Sequence, residues 1–315
     1  MFKNYIFFLL CCVSFLSIAE SSGEELAMTP IKVSEHCYYV LGEAGAASSA
    51  NEGFMSNAGF VVTDAGVVVL DTLGTPVLAH RLVAEIRKIT DKPIRRVIVT
   101  HYHADHIYGL QVFKDMGVEI WANTLGQEYL NSEAAQKLLQ ERREALFPWV
   151  DDKTRLVAAD KWISGDTKFE MGGLHFELRH VGPAHAPDDT VMFVKEDGVL
   201  YAGDIIFIGR VPFVGEADSR SWLVAIDKLL EFNPKYIITG HGPASHTPVK
   251  DLVFTRDYLK YLRKVMGKAV ADFVPFDEAY DKADWSQYSA MPAFDAANRD
   301  NAYDTYLLME RESLK

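Results

Sequence analysis

The chain has 315 residues, of which 49% are hydrophobic, and its formal net charge is −12. This composition excludes an intrinsically disordered chain, because so many apolar residues can bury a sizeable core. The negative charge disfavours nucleic acid as a partner and electrostatic docking on anionic lipid, since both of those ligands are themselves negative.

The first 19 residues have the pattern of an export signal. Lys3 precedes an apolar run over residues 5–18, and Ser17 and Ala19 are the small residues expected before a cleavage site. The run is about 14 residues long, short of the roughly 20 that a membrane-spanning helix needs. We therefore predict a signal peptide over residues 1–19, a periplasmic or secreted protein, and no stable membrane association after cleavage.

The first half of the remaining chain alternates between strand and helix patterns. Val77, Leu78, Leu82 and Ile86 recur at helical spacing after Pro76, which is typical of a helix start. The predicted elements are a strand over 31–41, a loop over 42–57, a hairpin over 58–63 and 67–71, a helix over 75–90, a strand over 94–100, a helix over 107–116, a strand over 119–122 and a helix over 125–146.

The second half of the chain has a similar order of predicted elements, with hairpins that precede helices. The predicted elements are a hairpin over 167–171 and 174–181, a hairpin over 190–194 and 199–202, a helix over 219–232, a strand over 236–239 and a helix over 247–270. Two such halves indicate an α/β protein, a four-layer αββα sandwich of two mixed sheets flanked by helices. We predict one domain over residues 20–315, with a helical C-terminal extension from about residue 247.

The predicted loop over residues 42–57 is rich in small and polar residues. Such a segment buries little apolar area, so we predict a mobile flap over the functional site, with a solvent-exposed linker as the alternative. Phe54 and Met55, near its end, would then contact the apolar part of a substrate.

The clearest chemical motif is T-H-Y-H-A-D-H, which occupies residues 100–106 directly after an apolar strand. Imidazole and carboxylate are the ligands that Zn²⁺ takes when it holds and activates water. His101 and His103 can point the same way from an extended loop. Asp105 and His106 turn into a helix start and can face a second metal. Ten histidines in 315 residues make this clustering improbable by chance.

This motif resembles the His-x-His-x-Asp-His signature of the metallo-β-lactamase superfamily. The resemblance extends over about residues 57–242, because four further motif residues of the family appear in the same order. They are Asp71 in V-V-V-L-D-T, His185 in G-P-A-H-A-P-D-D-T, Asp204 in L-Y-A-G-D-I-I-F and His241 in I-I-T-G-H-G-P.

The resemblance implies two metal ions and a ligand for each position. His101, His103 and His185 would bind the first metal. Asp105, His106 and His241 would bind the second. Asp204 would bridge the two ions, and Asp71 would brace the loop that carries the ligands. The implied cofactors are two Zn²⁺ per chain, with iron or manganese left open.

The implied activity is hydrolysis by a hydroxide that lies between the two metals and attacks a carbonyl. The substrate would be a small thioester, ester, lactone or amide. Asp105 and Asp204 are the catalytic candidates, with Asp105 orienting the nucleophile or moving its proton.

An aspartate at position 204 resembles glyoxalase II, the lactonases and exported hydrolases of the quinoprotein-relay type. The stretches G-R-V-P-F-V-G and S-R-S-W-L-V-A-I-D-K-L also resemble that exported, glyoxalase II-like branch. Cysteine-type β-lactamases carry a lysine where this chain has Phe207. The carboxylate of a β-lactam would therefore have no cationic partner at this position, unless Arg210 takes over that role.

Two other activities remain open on the same scaffold. One is class B β-lactamase-like hydrolysis. The other is a mononuclear iron persulfide dioxygenase, which resembles this family but leaves the second metal site empty. Two zinc ions per chain, rather than one iron, would separate the hydrolase from the dioxygenase.

Two further residues are candidates for substrate contact. Arg210 lies on a loop after Asp204 and suits an anionic ester. His246 lies five residues past His241 and is either near the ligands or an ordinary loop histidine. The expected partner is a small molecule, and the sequence leaves the oligomeric state open.

Overall fold

Two β-sheets lie face to face in the computed structural model, which describes residues 26–215 and 217–314. The first sheet has seven strands in chain order. Strands β1 to β7 are Ile31–Lys32, Cys37–Val40, Ala58–Thr63, Gly66–Leu70, Ile94–Ile98, Glu119–Asn123 and Lys161–Ile163. Strands β1 to β4 pair antiparallel and β4 to β7 pair in parallel, so the sheet is mixed.

The second sheet has five strands in the order β12-β11-β10-β9-β8. Strands β8 to β12 are Thr167–Met171, Leu174–His180, Thr190–Val194, Val199–Phe207 and Tyr236–His241. Strands β8 to β11 pair antiparallel, and β11 and β12 pair in parallel. Each sheet therefore contains parallel neighbours whose carboxyl ends lie side by side.

Helices connect and cover the strands, and their starts follow from local hydrogen bonding. Helices α1 to α9 are Pro76–Ile89, Ala104–Ile107, Leu110–Asp115, Gly126–Leu130, Glu133–Ala145, Ser219–Leu229, Pro248–Ala271, Phe276–Lys282 and Phe294–Ser313. The Thr75 hydroxyl accepts from the Leu78 N–H at the start of α1. The Asp218 carboxylate accepts from the first N–H groups of α6. No described helix is long and apolar enough to cross a membrane.

Side-chain alternation along the strands builds the layers. In β4, Val67 and Val69 pack into the core beneath α1, whereas Val68 and Leu70 pack into the core between the sheets. Strand β11 alternates in the same way between the inter-sheet core and the core beneath α6, α7 and α9. The order of layers is helix, sheet, sheet, helix, which confirms the predicted four-layer αββα sandwich.

Several predicted elements are divided in the structure. The strand predicted over 31–41 is two strands, because Val33 N–H donates to the Cys37 carbonyl and turns the chain between them. The helix predicted over 125–146 is α4 and α5, because the Ser132 side chain accepts from Ala135 N–H and starts a new helix. The predicted signal peptide over residues 1–19 lies outside the described residues.

The loop over 42–57 is only partly the exposed flap that we predicted. Residues 51–57 are buried, and Glu52 forms an ion pair with Arg81 at 2.6 Å. The Asn57 side chain donates to the carbonyls of Thr239 and Gly242, which ties the loop to β12. Residues 51–57 are therefore fixed within the fold, and the exposed part lies within residues 43–50.

The C-terminal helices support a loop of the second sheet. Asn301 of α9 is buried, and its side chain accepts from Val214 N–H at 2.7 Å and donates to the Pro212 carbonyl at 2.7 Å. The same amide donates to the Tyr258 hydroxyl of α7 at 2.9 Å. This side chain thereby fixes the backbone that follows β11 to the helical layer.

We expect Asn301→Leu to destabilise the protein by about 2–3 kcal/mol, because a similar volume remains while two backbone groups lose their partner. Chemical denaturation would measure the free energy of unfolding. Asp300→Leu, at the exposed neighbouring position of α9, is the control and should change that free energy by less than about 0.5 kcal/mol. Equal stabilities of the two variants would contradict a supporting role for Asn301.

Candidate metal centre

The histidines and aspartates of the motifs meet where strands of both sheets end. Asp71 follows β4, residues 101–106 follow β5, and His185 follows β9. Asp204 lies in β11 and His241 ends β12. Because β4 and β5 are parallel neighbours, as are β11 and β12, their carboxyl ends bring these side chains together.

Asp204 is the centre of the cluster. Its Oδ1 lies 3.3 Å from His106 Nε2. Its Oδ2 lies 3.2 Å from His241 Nε2, 3.4 Å from His185 Nε2 and 4.0 Å from His101 Nε2. One carboxylate therefore faces four imidazole nitrogens, which is the position that a bridging ligand needs.

The other side chains divide into two sides around Asp204. His103 Nδ1 lies 2.8 Å from His185 Nε2 on one side. Asp105 Oδ2 lies 3.2 Å from His241 Nε2 on the other. Three groups have ligand atoms within 4.8 Å of one another: His101, His103 and His185; Asp105, His106 and His241; and His101, His106 and Asp204.

Unpartnered polar atoms show that this cluster fits bound cations. His101 Nε2, His106 Nε2 and Asp204 Oδ1 are buried and make no hydrogen bond with the described residues, although His106 Nε2 and Asp204 Oδ1 lie only 3.3 Å apart. Each unsatisfied buried group costs about 1–3 kcal/mol, which a coordinated ion would offset. Nitrogen and carboxylate oxygen donors are also the set that suits Zn²⁺.

Surrounding groups fix which imidazole nitrogen is available. The Thr100 hydroxyl donates to Asp71 at 2.7 Å, so its oxygen accepts from His101 Nδ1 at 3.0 Å. Asp71 also accepts from His106 Nδ1 at 2.9 Å. With their Nδ1 atoms protonated, His101 and His106 present the lone pairs of Nε2 to the centre.

A backbone carbonyl orients His241 in the same way. The Met55 carbonyl lies 2.7 Å from His241 Nδ1, and a carbonyl can only accept, so this nitrogen carries the proton. The Nε2 atom of His241 then faces Asp105 and Asp204. The C-terminal part of the loop over 42–57 thus contributes its backbone to the site.

Ionisation on the two sides of the cluster differs. Burial, the largest cause, lowers the pKa of His101, and it lowers the pKa of His185 to about 3. Burial has the same effect on His106 and His241, but Asp204 and the other nearby carboxylates outweigh it and raise the pKa of both. A metal bound on that side would displace those protons.

The cluster opens into a cavity of about 720 Å³. Its walls include Met55, Leu138, Leu146 and Phe213, and His103, Asp105, His185, Asp204 and His241 lie at its base. A cavity of this size and apolar character suits a small organic molecule. The side chain of Asp105 is 22% exposed, so it is accessible to a molecule in the cavity.

Three of the four predicted substrate contacts, Phe54, Arg210 and His246, are not among the residues that line this cavity. Phe54 is 2% exposed within the core beneath α1, because residues 51–57 pack inward. Arg210 is fully buried, with Nη1 donating to the Gly45 carbonyl at 3.1 Å and lying 3.3 Å from His241 Nδ1. Of the residues proposed for substrate contact, Met55 lines the cavity.

His246 lies at the far end of β12. Ser245 pairs with Ile237 in an antiparallel bridge, so the chain after His241 runs back along the strand. His246 is exposed there and contacts the ring of Tyr236 at a centroid distance of 5.2 Å. Of the two alternatives for His246, the ordinary loop histidine is the one that the structure supports, and the residue does not line the cavity.

Thr100, Tyr108 and Arg142 are site residues that the sequence analysis did not identify. Thr100 is the first residue of the T-H-Y-H-A-D-H motif, directly before His101, so its position was the available signal. Tyr108 and Arg142 line the cavity. Arg142 comes from α5, which is distant from the motif in the sequence, and no pattern in the chain pointed to it.

Comparison with known proteins agrees with this geometry. The Metallo-beta-lactamase superfamily profile matches residues 51–241, which is more than half of the chain. The chain belongs to the metallo-β-lactamase superfamily. The match includes every candidate ligand, and it ends at His241, so α7, α8 and α9 lie beyond the matched region.

Relatives within the superfamily have different named activities. A linear primary-alkylsulfatase of Pseudomonas sp. (strain ATCC 19151) is 27% identical over 232 residues, which cover 62% of this chain and 44% of the relative. A metallo-beta-lactamase type 2 of Elizabethkingia meningoseptica is 26% identical over 193 residues, which cover 60% of this chain and 69% of the relative. This chain therefore spans less than half of the alkylsulfatase.

Solved structures of the superfamily share the fold. A sec-alkylsulfatase of Pseudomonas sp. superposes with a TM-score of 0.67 at 19% identity, covering 89% of this chain and 50% of that protein. A metallo-beta-lactamase of Pontibacter korlensis superposes with a TM-score of 0.58 at 21% identity, covering 74% of this chain and 99% of that protein.

We expect Asp71→Asn to weaken metal binding about 10-fold to 100-fold, because His106 loses its carboxylate partner and Thr100 loses a charged acceptor. Competition with a chelator would measure the zinc dissociation constants. Asp64→Asn is the control, since the Asp64 side chain is 92% exposed, and it should leave both constants unchanged. An unaltered zinc affinity in the Asp71 variant would remove its proposed supporting role.

Proposed function

We propose that the protein is an exported hydrolase that uses two zinc ions to cleave a thioester, ester, lactone or amide of a small molecule. The observation that carries the proposal is the position of Asp204 between two sets of ligands. The export signal pattern over residues 1–19 supports a periplasmic or secreted location.

The ligand roles follow the two sides of the cluster. His101, His103 and His185 would hold one ion, and Asp105, His106 and His241 the other, with Asp204 shared. Two such cations lower the pKa of water toward neutrality and polarise an acyl oxygen. This is the chemistry that a hydrolase of the superfamily needs at neutral pH.

Residues of the chain supply orientation and proton acceptance. Burial opposes the ionisation of Asp105, but His106 and His241 outweigh it and hold its pKa below the usual range, so the carboxylate stays ionised. Its exposure toward the cavity lets an oxygen of Asp105 accept a proton from water positioned beside the substrate. The apolar walls exclude other water molecules from the reacting group.

The intact second group of ligands favours the hydrolase over a mononuclear iron dioxygenase. Ligand atoms of Asp105, His106 and His241 lie within 4.8 Å of one another, as a second ion requires. Metal analysis of the purified protein should give two zinc ions per chain. A single iron per chain, with persulfide oxidation, would support the dioxygenase instead.

A substrate panel on zinc-loaded protein tests the proposed activity. The panel contains p-nitrophenyl esters, acyl thioesters, lactones, alkyl sulfates and β-lactams. We expect turnover of at least one acyl substrate and a loss of turnover in Asp204→Ala, with lower zinc occupancy in that variant. Asp227→Ala on α6, whose side chain is 68% exposed, is the control. Full zinc loading in Asp204→Ala would contradict the bridging role.

We expect weak or absent hydrolysis of penicillins and carbapenems. Phe207 is fully buried and stacks on His241 with a ring-centroid distance of 5.1 Å, so this position offers no cation to a β-lactam carboxylate. Steady-state assays should give carbapenem kcat/KM values below roughly 10⁴ M⁻¹s⁻¹, a low value for an enzyme on its own substrate. Higher values would favour β-lactamase-like activity.

A further inference from the structure

One wall of the cavity carries a positive charge that has no partner among the described residues. Among the described residues that line the cavity, Arg142 and Asp218 are the charged ones apart from the candidate metal ligands. The Asp218 carboxylate accepts from the backbone of Arg220 and Ser221 and from the Ser221 hydroxyl, so it is already engaged. Arg142 is therefore the charge available to a bound molecule.

Neighbouring cations on α5 are engaged, in contrast to Arg142. Arg143 donates to the carbonyls of Asp151 and Thr154. Lys137 lies 3.7 Å from Glu141. Arg142 is half-buried, and within the described ranges no carboxylate lies within ion-pair distance of it. A half-buried guanidinium without an acceptor suits a site that receives its anion from a ligand.

Two tyrosine hydroxyls, one in the cavity lining and one beside His103, also have no partner. The Oη atoms of Tyr108 and Tyr129 are buried, and the described residues offer neither a hydrogen bond. By contrast, the buried Tyr102 hydroxyl donates to the Val157 carbonyl, and the buried Tyr258 hydroxyl donates to the Asn298 side chain. Tyr108 is 1% exposed and lines the cavity, and the ring of Tyr129 lies near that of His103.

The placement of these side chains brings unpartnered donors to the cavity. Tyr108 and Arg142 both line it, and the ring centroid of Tyr129 lies 6.4 Å from that of His103 at its base. Tyrosine hydroxyls are protonated at neutral pH and can donate a hydrogen bond. Arg142 and Tyr108 thus present donors without acceptors along the cavity, with Tyr129 next to His103.

We propose that Arg142, Tyr108 and Tyr129 form an anion-binding wall that holds an acid group of the substrate away from its cleaved bond. The inference rests on the proposed function and narrows it to acyl substrates with a second, negatively charged group and an apolar connecting part. A guanidinium with two hydroxyls provides charge-assisted hydrogen bonds to a carboxylate or a sulfate. The apolar walls at Leu138 and Leu146 fit the connecting part.

Binding of dicarboxylates to the zinc-loaded protein tests the wall without requiring turnover. One carboxylate of succinate, glutarate or adipate can occupy the zinc centre while the other reaches the wall. Butyrate, valerate and hexanoate are the matched acids with one carboxylate. Calorimetry should show that the dicarboxylate of best length binds at least about tenfold more tightly than its matched monocarboxylate.

Variants assign this preference to the wall. Arg142→Gln should abolish the advantage of the dicarboxylate and change the affinity for the monocarboxylate by less than about twofold. Tyr108→Phe and Tyr129→Phe should each reduce the advantage severalfold. Lys137→Gln removes a positive charge from the same helix outside the cavity and should retain the full advantage. A wild-type protein without the advantage, or an Arg142→Gln variant that keeps it, would overturn the proposal.

Turnover separates failure of the wall from failure of the proposed function. The substrates are p-nitrophenyl hemiesters of the same dicarboxylic acids and p-nitrophenyl esters of the monocarboxylic acids. Arg142→Gln should lower kcat/KM for the hemiester about 10-fold to 100-fold and leave the neutral ester unchanged. Absence of turnover on both, with dicarboxylate binding that depends on Arg142, would reject the acyl hydrolase and retain the wall. Equal loss on both esters would show that Arg142 only supports the fold.

Discussion

The burial of Asp204 among imidazoles is the interaction on which the rest of the site depends. A carboxylate that is 3% exposed is costly unless opposite charge and hydrogen-bond donors surround it. Here four imidazole nitrogens surround the carboxylate. Any of these nitrogens that carries no proton is itself a buried acceptor, and it needs a donor or a cation as its partner. A cation satisfies both requirements. The Asp71 carboxylate and the Met55 carbonyl then orient imidazoles toward that shared centre.

Close backbone approach allows this arrangement. A Cβ atom on Gly240 would lie 1.9 Å from Asp204 Oδ1, so any side chain at this position would displace the carboxylate. Glycine lets β12 pass directly beside β11 and bring His241 to the centre. The Asn57 amide binds two carbonyls of the segment around Gly240, so the loop that holds Met55 is fixed to the same strand.

The cavity above the centre is assembled from segments that the catalytic motifs do not contain. Ala46 and Ala47 come from the exposed part of the 42–57 loop, Arg142 from α5, and Phe213 from the loop held by Asn301. The ligands and the walls at Arg142 and Phe213 lie in the region that matches the superfamily, whereas Ala46, Ala47 and Ala296 of α9 lie outside it. A shared ligand set on one fold can serve different activities, and the named activities of the relatives do differ.

Local patterns determined the fold class, and the resemblance to the superfamily signature supplied the set of metal-ligand candidates. Alternating apolar residues define buried strands, and ligands at the ends of neighbouring parallel strands must meet at one edge of a sheet. The tertiary structure decided which other side chains reach the cavity. Packing buried Phe54 and Arg210, the return of the chain along β12 carried His246 away, and α5 brought in Arg142. Such contacts depend on the relative placement of elements distant in sequence, which no local periodicity records.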